Sequence, residues 1–224
     1  MKALFVGNSY TYYNDMPTLF LSLARENGIE FSVDSVTVGG RKIIENLDPC
    51  DESHKKIASL SQNAEYDIFF LQEHSLLPIK DYSLFEKGVT ELISLVGAKR
   101  NILYATWGRK DGSPTLRELN LTSEEMCDEL YKKYKTLALT LNAQLSPVGL
   151  CFKYIYSSYP TLDLYNPDLS HPSKFGSAVA AICHYHTAFG RLPESFASLS
   201  LNETEIEAII KAIKTLNKIE SSIL

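Results

Sequence analysis

The chain has 224 residues, 45% of them apolar and 22% charged, enough length and apolar content for one domain with a substantial core. Its formal net charge of −5 offers no clustered basic face for phosphates, so no nucleic-acid partner is expected. Apolar runs never reach the roughly eighteen residues of a membrane span, and the opening MKALFVG is interrupted too soon for a signal-peptide core, so a cytoplasmic protein without a membrane partner is expected.

KALFV (2–6) reads as a buried strand. It runs into Gly7-Asn8-Ser9-Tyr10, and a serine at the C-terminal end of a strand is either a turn residue or a nucleophile at the mouth of a sheet. PTLFLSLAREN (17–27) has helical period, and FSVDSVTV (31–38) reads as the second strand, ending on Gly39-Gly40. That pair lacks the G-K-[ST] ending of a phosphate-binding loop and by itself reads as a turn. DIFFLQ (67–72) is the third strand, with Gln72-Glu73-His74-Ser75 at its exit. No second ligand is spaced for a metal beside His74, which reads as a packing or hydrogen-bonding residue in a site-facing loop.

SLFEKGVTELISLV (83–96) is helical and NILYATW (101–107) is the fourth strand, followed by Gly108-Arg109-Lys110. Trp107 at that exit is either core or the wall of a substrate cleft. In SEEMCDELYKKYKTLALTLN (123–142), helical again, Thr122 and Glu125 have capping-box spacing, and Asn202 with Glu205 repeats it. DLSHPSKFG (168–176) leads into the helix SAVAAICHYHTAFG. The last helix carries Ile206, Ile209, Ile210, Ile213 and Leu216 on one stripe, expected to pack against the sheet. Cys50, Cys127, Cys151 and Cys183 lie far apart with no C-x-x-C pair and read as buried thiols.

This alternation predicts one α/β domain over 1–224: a three-layer α/β/α sandwich, flavodoxin-like, with a mostly parallel sheet of about five strands. Ligands of such sheets bind at the carboxyl ends of the strands, so the exit loops carry the chemistry. A serine nucleophile needs a base, a carboxylate to orient the base, and N–H donors for the developing oxyanion. Asp168 and His171, three apart before a helix, have a spacing that permits the carboxylate to hold one ring nitrogen while the other faces Ser9.

These residues resemble the SGNH or GDSL-type serine esterases and lipases. The first block of that family, commonly G-D-S, is matched by Gly7-Asn8-Ser9. Its oxyanion glycine is matched by Gly39 or Gly40, and its closing D-x-x-H by Asp168-Leu169-Ser170-His171, followed by Pro172 and Gly176. The family's G-x-N-D block after the third strand is absent, Leu71-Gln72-Glu73-His74-Ser75 standing there instead, which suggests a divergent branch. The resemblance implies Ser9 as nucleophile, His171 as general base and Asp168 as its orienting carboxylate. The oxyanion hole would comprise the Ser9 and Gly40 N–H groups, with the Gln72 amide replacing the missing asparagine. Tyr10, His74 and Trp107 are expected to line the substrate, and no metal or organic cofactor is implied. The implied reaction is hydrolysis of an ester, with a short acyl group on a carbohydrate or small metabolite as first choice. The competing readings are a non-catalytic glycan or small-ligand binding module on the same fold, and a flavodoxin-like nucleotide binder.

Overall fold

The computed structural model describes residues 1–221, the side chains of 219–221 excepted. Strands β1 (Lys2–Gly7), β2 (Ser32–Thr37), β3 (Ile68–Leu71), β4 (Arg100–Tyr104) and β5 (Gln144–Ser146) form one sheet in the order β2-β1-β3-β4-β5, parallel throughout. The helices are α1 (Ser9–Tyr12), α2 (Met16–Glu26), α3 (Glu52–Asn63), α4 (Leu77–Lys80), α5 (Tyr82–Val96), α6 (Pro114–Leu119), α7 (Ser123–Thr140), α8 (Val148–Ser158), α9 (Lys174–Phe189) and α10 (Glu203–Ser221).

Side chains alternate across a strand, and here both faces are apolar because both are covered. Ala3, Phe5, Ile68, Phe70, Ile102 and Tyr104 point into one core, shared with α2, α8 and α9. Leu4, Val6, Phe69, Leu71 and Leu103 point into the other, beneath α3, α5 and α7. The edge strand β2 buries only Val36, which explains its polar composition. Both capping boxes form: Thr122 and Glu125 satisfy each other's backbone N–H groups, as do Asn202 and Glu205.

Four strands and most of the longer helices lie where the hydrophobic periods put them, whereas β5, α3 and α8 escaped that reading. A three-residue strand has too little alternation to register. The closing helix also departs from expectation: α10 packs on α8 and α9, because that face of the sheet is already covered. Its buried stripe is Ala208, Ile209, Ala212 and Ile213, with Ile206 and Ile210 half-buried beside it. Cys127, Cys151 and Cys183 are buried, but Cys50 is exposed in the turn before α3. No helix among the described residues is long and apolar enough to cross a membrane.

The strand order reverses at β1, which lies between β2 and β3. Connections leave β1 and β3 toward opposite faces there, opening a crevice above their carboxyl ends. Ser9 follows β1 and the Gln72–Ser75 loop follows β3.

Candidate active site

The serine is placed by a tight exit from β1. A Cβ on Gly7 would lie 2.4 Å from Thr11 Oγ1 and 2.7 Å from Gln72 Oε1, so only glycine lets the chain close there. Asn8, extended, accepts the Tyr10 N–H at 3.1 Å through Oδ1 and so caps α1, of which Ser9 is the first residue. Its Nδ2 donates to the Arg41 carbonyl at 3.0 Å. An ionised aspartate would cap equally well but has no proton to give that carbonyl, a physical reason for asparagine in this first block. The bond ties the serine turn to the loop carrying Gly40, and that loop is anchored in turn by a forked Arg41–Asp51 pair at 2.6 and 2.9 Å.

His171 arrives from the other end of the chain. Its Nδ1 lies 2.5 Å from Asp168 Oδ2 and its Nε2 lies 2.9 Å from Ser9 Oγ. With the proton on Nδ1 toward the carboxylate, Nε2 is left to accept the serine hydroxyl. Asp168 Oδ1 accepts the Ser170 and His171 N–H groups at 3.0 and 2.9 Å. Burial pushes the Asp168 pKa up, but the hydrogen bonds from the His171 ring and from these N–H groups outweigh it, holding the carboxyl below its ordinary range. Between the two residues, Leu169 adopts a φ of 61°, unusual for a leucine, and this folds the turn so that acid and imidazole meet. The Tyr13 ring stacks on the imidazole at 4.2 Å. Asn14 Nδ2 donates to the Pro172 and Ser173 carbonyls at 3.1 and 3.0 Å, locking the serine segment to the histidine loop.

Ser9 and His171 open onto a cleft of about 200 Å³, walled by Tyr10, Gly40, His74, Ser75 and Arg109 among others, with no aliphatic side chain in its lining. Gly40 has a φ of 66°, a left-handed conformation that glycine adopts without strain. Among the described residues neither the Ser9 nor the Gly40 N–H is taken by a protein acceptor. A larger hollow of about 420 Å³ between α7, α8 and α10 is mostly apolar and remote from this chemistry.

Two expected residues turn away from the cleft. Gln72 is 1% exposed, its Oε1 accepting the Asn8 N–H at 2.8 Å and the Thr11 hydroxyl at 2.9 Å. Only the oxygen can face those two donors, which turns Nε2 onto the Glu73 carbonyl, so Gln72 braces the serine turn from beneath and does not present the expected donor to the cleft. Trp107 is fully buried, stacked between Tyr10 and Phe152 at 4.6 and 4.1 Å. Its indole N–H donates to the Ser170 carbonyl at 3.0 Å, which supports the histidine loop from behind. Tyr10 and His74 do line the cleft.

Others were missed from the sequence. Glu73, fully buried, accepts the Ile43 and His74 N–H groups at 3.0 and 2.5 Å through Oε1 and leaves Oε2 without a partner. Burial raises its pKa to about 7. Burial, then the Arg109 and Lys42 charges, lowers the pKa of His74, and its Nδ1 faces the Leu76 N–H at 3.4 Å, which leaves the ring proton of the neutral form on Nε2. Arg109 drew no attention because a lone arginine after Trp-Gly reads as an ordinary loop charge. Its place at a strand exit was the available signal.

No protein-family model matches the chain, and no curated protein matches it in sequence. Solved structures do. A protein from Slackia heliotrinireducens, described as a candidate SGNH hydrolase, is 26% identical with a TM-score of 0.71, over 84% of this chain and 98% of that one. A DUF4886 family protein from Bacteroides uniformis is 15% identical with a TM-score of 0.77, over 95% and 92%. A variant of an acetyl-xylooligosaccharide esterase from Geobacillus is 13% identical with a TM-score of 0.58, over 90% and 95%.

Proposed function

We propose that this chain, a member of the SGNH/GDSL hydrolase superfamily, is a carboxylic ester hydrolase working by acyl transfer. The observation that carries the reading is the continuous chain from Asp168 through His171 to Ser9, at 2.5 and 2.9 Å, in the crevice where the strand order reverses. Ser9 Oγ attacks the ester carbonyl carbon as its proton passes to His171 Nε2, and Asp168 stabilises the imidazolium. The oxyanion takes the N–H groups of Ser9 and Gly40. His74, neutral and in the cleft wall, supplies the side-chain donor that Gln72 does not. Collapse expels the alcohol, protonated by His171, and water then releases the acyl group from Ser9 by the same route in reverse.

A small cleft without aliphatic lining favours a short acyl group, acetyl above all, on a carbohydrate or small polar metabolite. The test is a series of p-nitrophenyl esters of increasing chain length, with fluorophosphonate labelling mapped by mass spectrometry. The wild-type protein should label at Ser9 and prefer acetyl, and Ser9→Ala should lose activity by about 10⁴-fold or more. Turnover persisting in that variant, or the label landing elsewhere, overturns the proposal.

A further inference from the structure

Arg109 stands in the cleft wall with an unbalanced charge. Its Nη1 donates to Tyr10 Oη at 2.5 Å and its Nη2 to Ser75 Oγ at 2.9 Å. Its Nε is buried and has no partner. A guanidinium carries five N–H donors, and two neutral hydroxyls occupy two of them. Among the described residues no carboxylate pairs with Arg109, in contrast to Arg41, whose charge Asp51 balances. Neither acid of the site bonds Arg109: Asp168 is hydrogen-bonded to His171, and Glu73 to the Ile43 and His74 N–H groups. The positive charge of Arg109 is also felt by His74, the other basic side chain on that wall.

Arg109 is half-buried, its Nε shut away and its guanidinium facing the cleft without a counter-charge, and the fork geometry of arginine suits a planar or tetrahedral oxyanion far better than a lone hydroxyl. A glutamine or lysine would serve Tyr10 and Ser75 alone. We infer that Arg109 is a specificity residue that receives an anionic oxo group of the substrate, a carboxylate or a phosphate, so that the preferred ester is a short acyl ester of an acidic polar molecule such as an acidic sugar. This rests on the hydrolase reading above. An acetyl group bears no such charge, so the anion belongs to the alcohol portion, which the cleft holds beside Tyr10 and Ser75.

The experiment compares O-acetyl methyl glucuronide, O-acetyl glucose 6-phosphate and neutral O-acetyl methyl glucoside in the wild-type protein, Arg109→Gln and Arg109→Lys. Wild-type kcat/KM should favour at least one anionic ester over the neutral one by about 10- to 100-fold, the effect of one charge-assisted pair of hydrogen bonds. Whichever ester leads identifies the anion as carboxylate or phosphate. Arg109→Gln should bring the ratio close to one, and Arg109→Lys should retain part of it. A wild-type ratio near one, or a ratio unchanged in Arg109→Gln, overturns the inference, and the wild-type ratio and Arg109→Lys decide if Arg109→Gln does not fold. Binding of the unacetylated sugars to Ser9→Ala, measured by calorimetry, separates this from the hydrolase reading. Selective binding of an anionic sugar there upholds the anion site even without turnover. Equal binding of all, or none, refutes it while leaving any measured ester hydrolysis standing.

Discussion

Replacing Gln72 with leucine removes the acceptor for two buried donors, the Asn8 N–H and the Thr11 hydroxyl, and the donor to the Glu73 carbonyl. The Asn8 N–H is fixed by the backbone and cannot turn elsewhere, so its loss costs about 1–3 kcal/mol. The hydroxyl rotates and the carbonyl has a second lone pair, adding about 1 kcal/mol between them. Leucine is close to glutamine in volume, which keeps the packing change small. The sum, about 2–4 kcal/mol, corresponds in a chain of this size to a melting temperature lower by about 5–12 °C. Urea and thermal unfolding measure the loss, and active-site titration with a fluorophosphonate puts rates on a folded-site basis. The kcat per labelled site should fall by no more than about 10-fold, through small displacement of Asn8 and Ser9. A melting temperature within about 1 °C of wild type, with kcat down about 100-fold and KM unchanged, would refute the reasoning and return Gln72 to the oxyanion hole.

Glu73 should make stability pH-dependent in a direction opposite to most carboxylates. Because its folded pKa is raised to about 7, its contribution is full below the unfolded value and is lost as pH rises through 7, a change of roughly 2.5 kcal/mol between about pH 5 and 8. Glu73→Gln keeps the oxygen that accepts from Ile43 and His74 but does not ionise, so urea midpoints at the two pH values should draw together, and curves parallel to wild type would count against the assignment. Gly7→Ala sets a methyl against Thr11 and Gln72 and should cost about 1–3 kcal/mol while slowing Ser9 labelling, with unchanged labelling showing that the turn relaxes freely.

The meeting of Ser9, His171 and Asp168 was legible because each stands where the pattern of runs places a strand exit or a helix entry, and exits of parallel strands converge by topology. Orientation was not legible. Gln72 sits at the expected exit, yet one extra methylene and a free N–H on Asn8 fold its amide back under the turn instead of forward into the cleft. Trp107 likewise marks the right loop, but Tyr10 and Phe152 enclose its ring, a stacking that joins residues almost a hundred positions apart and leaves no local trace. The closing helix revealed its apolar stripe, while the surface receiving that stripe depended on which helices had already covered the sheet.

The bond between Ser9 and His171 joins residues 162 positions apart, whereas β1, β2 and β3 are all complete by Leu71. At about 5–20 residues per second, a ribosome needs roughly 8–30 s to cover that separation. During that interval the emerging chain can pair its first strands and bury their apolar faces, yet its Ser9 still lacks His171 as a partner. The ester cleavage proposed for this site would thus be among the last properties the polypeptide acquires, and a product stopped anywhere short of His171 would carry Ser9 without the imidazole that faces it.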